Sequence, residues 1–288
     1  VQTGQVIRNN VYSYTVPDYP VYDHHWLSSV SFYLVSEFFG FKGLTIFKTL
    51  ILLSAFSLLF LAALKKADFW LVALFSLPTI LILAGRNRIR PEMFSYFFIA
   101  LFLYLLFDLE EHPERRRIFW LIPLQLLWVN FHLFFFVGIA LVGGFLAEKI
   151  TPNLRVFWRD PVVKKLLLVL PMLIAVVFIN PNGIEGVLAP VKSHSYASFM
   201  VSENQTLFNL RASILTWDIF SSAFVPMAAI FLLSFAFNFF RKPVFFLLAG
   251  IGSAGAGLLQ VRLITIFALM FLPAVSANFN GVFLKTKE

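Results

Sequence analysis

The chain has 288 residues, of which 59% are hydrophobic and only 13% charged, with a mean hydropathy of +0.82. Soluble domains run near ~45–50% apolar and ~25% charged, so the composition excludes an ordinary water-soluble domain and indicates an integral membrane protein. The net charge of +8 lies between apolar runs, which assigns it to membrane orientation rather than to a nucleic-acid partner; the lack of cysteine excludes disulfides and thiolate sites.

Residues 1–25 are polar, with Tyr12, Tyr14, Tyr19 and Tyr22 and two prolines, and read as an extended outer loop. The first residue is Val1, so the natural start is expected upstream. From Trp26 to Phe39 apolar residues recur at helical spacing (Trp26, Leu27, Val30, Leu34, Phe38), with Ser28, Ser29, Ser36 and Glu37 between them. This predicts an amphipathic helix lying in the membrane interface with Trp26 as anchor, or else a packed helix of an outer domain. Residues 1–42 thus form an outer unit, and 43–288 a transmembrane bundle.

About nine apolar runs follow, at roughly 43–64, 68–85, 91–109, 117–130, 132–148, 163–180, 217–240, 243–259 and 262–279. Most are about 17–24 residues long, enough to cross a ~30 Å hydrocarbon core at ~1.5 Å per residue. No alternating pattern of ~10-residue strands is present, which excludes a transmembrane β-barrel. The stretch 118–149 is too long for one crossing, so a break is expected near Asn130 and His132 at its middle. Residues 181–212 read as a second outer loop, opened by the turn signal Asn180-Pro181-Asn182-Gly183.

Alternating crossings that start outside place fourteen Lys/Arg on the inner side: Lys65, Lys66, Arg115 to Arg117, Lys149, Arg155, Arg159, Lys164, Lys165, Arg241, Lys242, Lys285 and Lys287. Eight fall outside: Arg8, Lys42, Arg86, Arg88, Arg90, Lys192, Arg211 and Arg262. Lys48 lies in the first span and can snorkel outward. The bias favours this orientation, and the outer run Arg86-Asn87-Arg88-Ile89-Arg90 breaks the rule locally.

Four groups could carry chemistry. Asp23-His24-His25 could exchange protons or help bind a divalent cation, or could simply start a helix. Arg86, Arg88 and Arg90 suit bidentate phosphate recognition at headgroup depth, or lipid-headgroup contact, with Pro91 and Glu92 opening a helix. Asn130 and His132 are intramembrane polar groups, which are functional by default or else form a hydrogen-bonded turn. The outer carboxylates Asp18, Asp23, Glu37, Glu92, Glu185, Glu203 and Asp218 could serve as base or metal ligand. Gly250, Gly252, Gly255 and Gly257 read as close helix packing. Gln260 and Arg262 sit at an outer helix end.

In this order the motifs resemble those of bacterial multispanning proteins of the GT-C glycosyltransferase type. Asp23-His24-His25-Trp26-Leu27 is similar to an outer Asp-His-Glu-Trp-Leu motif, and Arg90-Pro91-Glu92-Met93-Phe94-Ser95 to Arg-Pro-Gln-x-Phe-Ser. Trp128-Val129-Asn130-Phe131-His132 resembles Trp-Ala-Asn-x-His. The turn at Asn180 resembles Asn-Pro-Tyr-Gly, and Glu203-Asn204-Gln205 a Glu-Trp-Gln segment. The departures are His25 for Glu, Asn182 for an aromatic, and the lack of a preceding span and Asp-bearing loop before Gln2.

The resemblance implies an inverting transferase in the cytoplasmic membrane, active at its outer face, with a polyprenyl-phosphate-linked sugar as donor and membrane lipids around it. Asp23 and His25 would be the catalytic pair. Arg86, Arg88, Arg90, Glu92, Asn130, His132, Asn182, Glu203 and Arg262 would bind substrate, with a divalent cation admitted. The alternative is a non-catalytic membrane protein, either a lipid or polyprenol carrier or a structural subunit of an envelope complex.

Overall fold

The computed structural model describes residues 15, 22–86, 88–151, 157–192, 202–209, 219–237 and 244–285. Most of the N-terminal loop with Asp18, and Asn87, His194, Arg211, Asp218, Arg241 and Lys242, lie outside the described residues. Among those described there are ten α-helices and no strand. They are α1 (Trp26–Leu64), α2 (Phe69–Ala84), α3 (Glu92–Glu111), α4 (Leu121–Phe131), α5 (Phe136–Ile150), α6 (Pro161–Val176), α7 (Gly183–Lys192), α8 (Ile219–Phe237), α9 (Val244–Leu259) and α10 (Ile264–Lys285).

Four helical stretches are long and apolar enough to cross a membrane: Trp26–Leu64, Glu92–Glu111, Leu133–Ile150 and Val261–Gly281. The apolar helices Phe69–Ala84, Arg117–Phe131 and Val244–Leu259 are shorter. The most apolar windows of α3 and α10 are 78% and 83% buried, against 22% for α1. So α3 and α10 form the centre and α1 a flank. Around them the outward surface is apolar, with Leu50, Leu53, Leu74, Leu77, Leu168 and Leu232 all exposed. A surface of that kind is stable only against lipid or other protein.

The chain answers the shortage of water in local ways. Hydroxyls inside the helices bond back to their own backbone: Ser31 to Leu27 O (2.8 Å), Thr49 to Thr45 O (2.8 Å) and Ser253 to Ala249 O (2.6 Å). Asp160 caps α6 by accepting from Val162 N at 2.7 Å, with Pro161 at the first helical position. Between helices, Asn278 donates to Ser234 at 2.9 Å.

Three places sharpen the sequence reading. The helix begun at Trp26 continues into the first apolar run, kinked at Gly40, whose φ of 62° is accessible only to glycine at low cost. On its first segment Leu34 and Phe38 are 42% and 74% exposed while Ser28 is fully buried. The stripe is thus split: Leu34 and Phe38 are exposed, while Trp26 at its start reaches into the bundle and bonds Asn130.

The long stretch 118–149 breaks where polar residues interrupt it. Helix α4 ends at Phe131, His132 is extended (φ −158°, ψ 149°), and a 3₁₀ turn, Leu133–Phe135, leads into α5. Gln125 holds this corner by donating to Phe135 O at 2.9 Å.

The expected loop after residue 181 instead contains α7. Asn180 supports its start, accepting from Asn182 N (2.9 Å) and donating to Gly183 O (3.0 Å), and Gly183 takes φ 53°. The turn at Asn180 is present, and it launches a helix.

The polar residues gather at two ends. At one end Asp108, only 2% exposed, meets Lys65 (3.2 Å), Arg115 (3.4 Å) and Arg117 (3.7 Å). Nearby, Glu110 bridges Lys66 and Lys149, and Lys165 donates to Pro113 O and Arg115 O. The exposed tryptophans Trp70, Trp120 and Trp158 lie in the same segments, where an aromatic belt would sit at a lipid–water interface. The other end holds the candidate site.

Candidate functional site

Five separated segments meet at the second end. His25, at the N-cap of α1, stacks on His132 with ring centroids 4.9 Å apart and 12° between planes. One residue on, Trp26 Nε1 donates to Asn130 Oδ1 at 2.7 Å, and Ser28 Oγ donates to Phe131 O at 2.5 Å. Asn130 spends its amide nitrogen on Leu126 O (2.8 Å) and Ile179 O (3.1 Å), which ties in the turn before α7. From that turn Asn182 Nδ2 donates to Asp23 O at 3.1 Å. Asp23 in turn accepts from His25 N at 3.0 Å through Oδ1, which shapes the entry to α1.

His132 is positioned from below by α3 and α4. Trp128 Nε1 donates to Ser95 Oγ at 2.8 Å, so the Ser95 hydroxyl donates onward to His132 Nδ1, also at 2.8 Å. Phe134 N approaches the same Nδ1 at 3.4 Å. With Nδ1 accepting, this pattern assigns the ring proton to Nε2. His25 Nδ1, by contrast, is buried with no hydrogen-bond partner among the described residues. Burial, and next the neighbouring His24, lower the His25 pKa to about 3. The imidazole is neutral at physiological pH.

The arginines form a second, adjoining layer. Arg86 is nearly enclosed and binds the start of α10: Nε to Thr265 Oγ1 (2.8 Å), a terminal nitrogen to Arg262 O (2.6 Å), and Glu92 at 3.7 Å. Arg90 pairs closely with Glu203, and Arg88 approaches the same carboxylate at 3.5 Å. Gln205 O accepts from Val261 N at 3.2 Å, which holds this segment against α10. Arg262 joins the layers. Its Nε donates to Gln260 Oε1 (3.1 Å), and its guanidinium lies 5.9 Å from the centre of the Phe134 ring, which in turn meets the His132 ring at 4.5 Å.

The eleven residues that the resemblance assigns to catalysis or substrate lie in these two adjoining polar layers, which meet across the Phe134 ring; of the other outer carboxylates, Glu185 pairs with Lys192 instead. Within them Arg86 acts as a brace between α3 and α10 rather than an open phosphate grip. Ser95, Thr265 and Asn180 were not singled out as site residues. Ser95 lay inside a motif and could have been flagged as a hydroxyl one turn below Pro91. Thr265 carries no sequence signal, because its role exists only through Arg86.

At this end no group of three close ligand atoms for the divalent cation that the resemblance admits is present among the described residues. Among the described residues, the one group with three close ligand atoms is Asp108, Glu111 and His112, at the opposite end. There Lys65, Arg115 and Arg117 already crowd Asp108, and a further cation would meet their repulsion. Both ends hold ion pairs and a buried imidazole nitrogen with no hydrogen-bond partner among the described residues, His112 Nδ1 at one and His25 Nδ1 at the other. Only the candidate end stacks two imidazoles. No protein-family model, no curated protein and no solved structure matches the chain.

Proposed function

We propose that the protein is a membrane glycosyltransferase of the GT-C type, moving a sugar from a polyprenyl phosphate to an envelope acceptor at the outer face of the cytoplasmic membrane. In this reading the nine apolar runs all cross or re-enter the bilayer, and the end bearing His25 and His132 faces outward. The observation that carries the reading is the contact of the motif segments. Residues 23–28, 86–95, 128–134, 179–183 and 203–205 are far apart in sequence, yet stack, bond or pair at one end of the bundle. A structural membrane protein has no need to bring that particular set together.

The chemistry follows from the groups. An acceptor hydroxyl attacks the anomeric carbon as the carbon–oxygen bond to phosphate breaks. The hydroxyl proton passes to the Asp23 carboxylate, which accepts from His25 N while Asn182 holds the Asp23 backbone carbonyl. The departing phosphate gains charge, and Arg262, with Arg88 and Arg90 once shared with Glu203, stabilises it. His25 and His132, both neutral, offer a wall that bonds sugar hydroxyls without competing for the phosphate.

One observation favours the non-catalytic alternative. Arg86, Arg88 and Arg90 already have carboxylate partners. The test is transfer of labelled sugar from a polyprenyl-phosphate donor by protein in nanodiscs. Asp23→Asn and Arg262→Ala should each lose at least about a hundredfold in rate, the scale of removing an acid–base or charge-stabilising group. Activity indifferent to both sinks the assignment, and donor binding without turnover supports the carrier. Orientation is tested separately with single cysteines at Arg88 and Glu114, each 70% exposed in its side chain. Labelling of both from one side overturns the topology.

A further inference from the structure

The end of the bundle away from the histidines carries cations that its ion pairs do not use. Three consecutive arginines precede α4, and the fold divides them. Arg115 and Arg117 approach the buried Asp108, at 3.4 and 3.7 Å, which Lys65 also contacts. One carboxylate cannot neutralise three cations. Arg116, between the two, is exposed and has no acidic partner among the described residues. Lys165 clamps this loop to the start of α6, donating to Pro113 O at 2.5 Å and Arg115 O at 2.7 Å. That start brings two more exposed cations, Arg159 and Lys164, again with no acidic partner among the described residues. The nearest acids in sequence are engaged elsewhere: Asp160 caps α6, and Glu114 lies 3.8 Å from Arg115. Trp120 and Trp158, 65% and 62% exposed, flank these cations along the chain. Lys164, Leu168 and Met172 recur every four residues and share one face of α6, on which both apolar residues are exposed. The cations therefore stand at the rim of an apolar outer surface.

We infer that this corner, built by Arg116, Arg159 and Lys164 with Trp120 and Trp158, docks the phosphate headgroup of an anionic phospholipid. The inference is independent of the transferase reading and concerns the opposite face of the membrane. Three features select this occupant. The free groups have the chemistry for it: arginine forks bind phosphate oxygens in pairs, and lysine adds a point charge. Exposed indoles sit at headgroup depth, with the ring toward the chains and the N–H toward water. The apolar row that continues from Lys164 to Met172 suits acyl chains, whereas a soluble acidic partner would leave it bare. The loop is also held before any ligand arrives, by Lys165 and by the turn bonds Arg115 N to His112 O and Phe119 N to Arg116 O. Binding then orders little chain and loses little entropy. In the proposed orientation this end meets the inner leaflet, where anionic lipids attract cations next to the membrane. The charge rule counts all these arginines and lysines alike; the fold separates those tied to Asp108 from those left to a lipid.

The experiment compares binding of phosphatidylglycerol and phosphatidylcholine, each carrying the same fluorescent acyl label, to the purified full chain in nonionic micelles. Phosphatidylglycerol should bind at least about tenfold more tightly, equal to ~1.4 kcal/mol. Arg116→Gln, Arg159→Gln and Lys164→Gln should each weaken it about fivefold, the scale of one basic residue at a charged membrane surface. The triple variant should bind phosphatidylglycerol no better than phosphatidylcholine. Lys192→Gln, on α7, should leave the preference unchanged. All the replaced side chains are exposed, and a melting curve checks that each variant folds as wild type does. Equal affinity of wild type for the two lipids overturns the inference. So does a preference that survives in the triple variant, because it would then come from cations elsewhere. Displacement of the labelled phosphatidylglycerol by a soluble polyglutamate peptide would assign the corner to an acidic protein partner and overturn the lipid site.

Discussion

Replacing Asn130 with alanine removes three hydrogen bonds at once. Its Oδ1 accepts from Trp26 on α1, and its Nδ2 donates to Leu126 O on its own helix and to Ile179 O before α7. The residue is 8% exposed, so little water can replace the lost partners. Bonds of this kind between transmembrane segments contribute ~0.6 kcal/mol on average and up to ~1.7. Two cross-segment bonds and one intrahelical bond give an expected loss of about 2–4 kcal/mol, including the stranded Trp26 N–H and Ile179 carbonyl. Trp26→Phe loses one bond and should cost about 1 kcal/mol. The decisive quantity is their coupling. Because the two side chains bond directly at 2.7 Å, the double variant is less destabilised than the sum of the singles by about 0.6–1.7 kcal/mol. Denaturant unfolding in micelles, followed by circular dichroism, measures all three variants against wild type. A coupling below ~0.3 kcal/mol, the scatter of independent sites, would refute the junction between α1 and α4 on which the whole site depends.

The histidine stack makes the protein acid-sensitive. The His25 pKa is lowered to about 3, below the ~6.5 of a free imidazole, so the unfolded chain takes up the proton first. The stabilising contribution of neutral His25 is complete above pH ~6.5 and is lost as pH falls toward about 3, at no more than ~1.4 kcal/mol per pH unit. Unfolding midpoints recorded from pH 7 to 4 should show this decline, and His25→Phe should flatten it; an unchanged slope would show that the proton is taken up elsewhere. At the corner between α4 and α5, Gly138→Ala should cost ~1–3 kcal/mol by overpacking. An added Cβ would lie 2.5 Å from Gln125 Oε1, 2.8 Å from the Phe102 ring and 2.9 Å from Trp128. A melting temperature equal to wild type would show that this core yields more than its packing suggests.

What the sequence disclosed was decided by where polarity is expensive. Asn130 and His132 could be singled out because an amide and an imidazole between two apolar halves must find partners, and a helix break was expected there for the same reason. Their partners were not legible. Nothing near Trp26 in sequence indicates that its indole reaches Asn130, 104 positions on. That pairing depends on how α1 leans across α3 and α4, which side-chain packing along the helices sets. The helix α7 was hidden differently. Asn180-Pro181-Asn182-Gly183 signals a turn by its backbone preferences, but only the Asn180 side chain, bonded forward to Gly183 O, turns it into a helix start.

The arginine run shows how far residue type alone can mislead about role. Arg86, Arg88 and Arg90 look alike in sequence, as three outer cations that violate the charge rule. In the fold, Arg86 is buried against Thr265 and two backbone carbonyls of the segment that opens α10. Arg88 and Arg90 share one carboxylate contributed from 113 or more positions away. Arg262 is an isolated cation at a helix end, outside the arginine run, yet among the described residues it forms no ion pair while lying beside Phe134 and the histidine stack. A phosphate entering the site would have to separate Arg90 from Glu203 but would meet Arg262 without breaking a salt bridge. Electrostatic preorganisation favours the cation that is already held and not yet neutralised. Arg262 should therefore dominate phosphate affinity, with Arg88 and Arg90 contributing only when Glu203 moves aside.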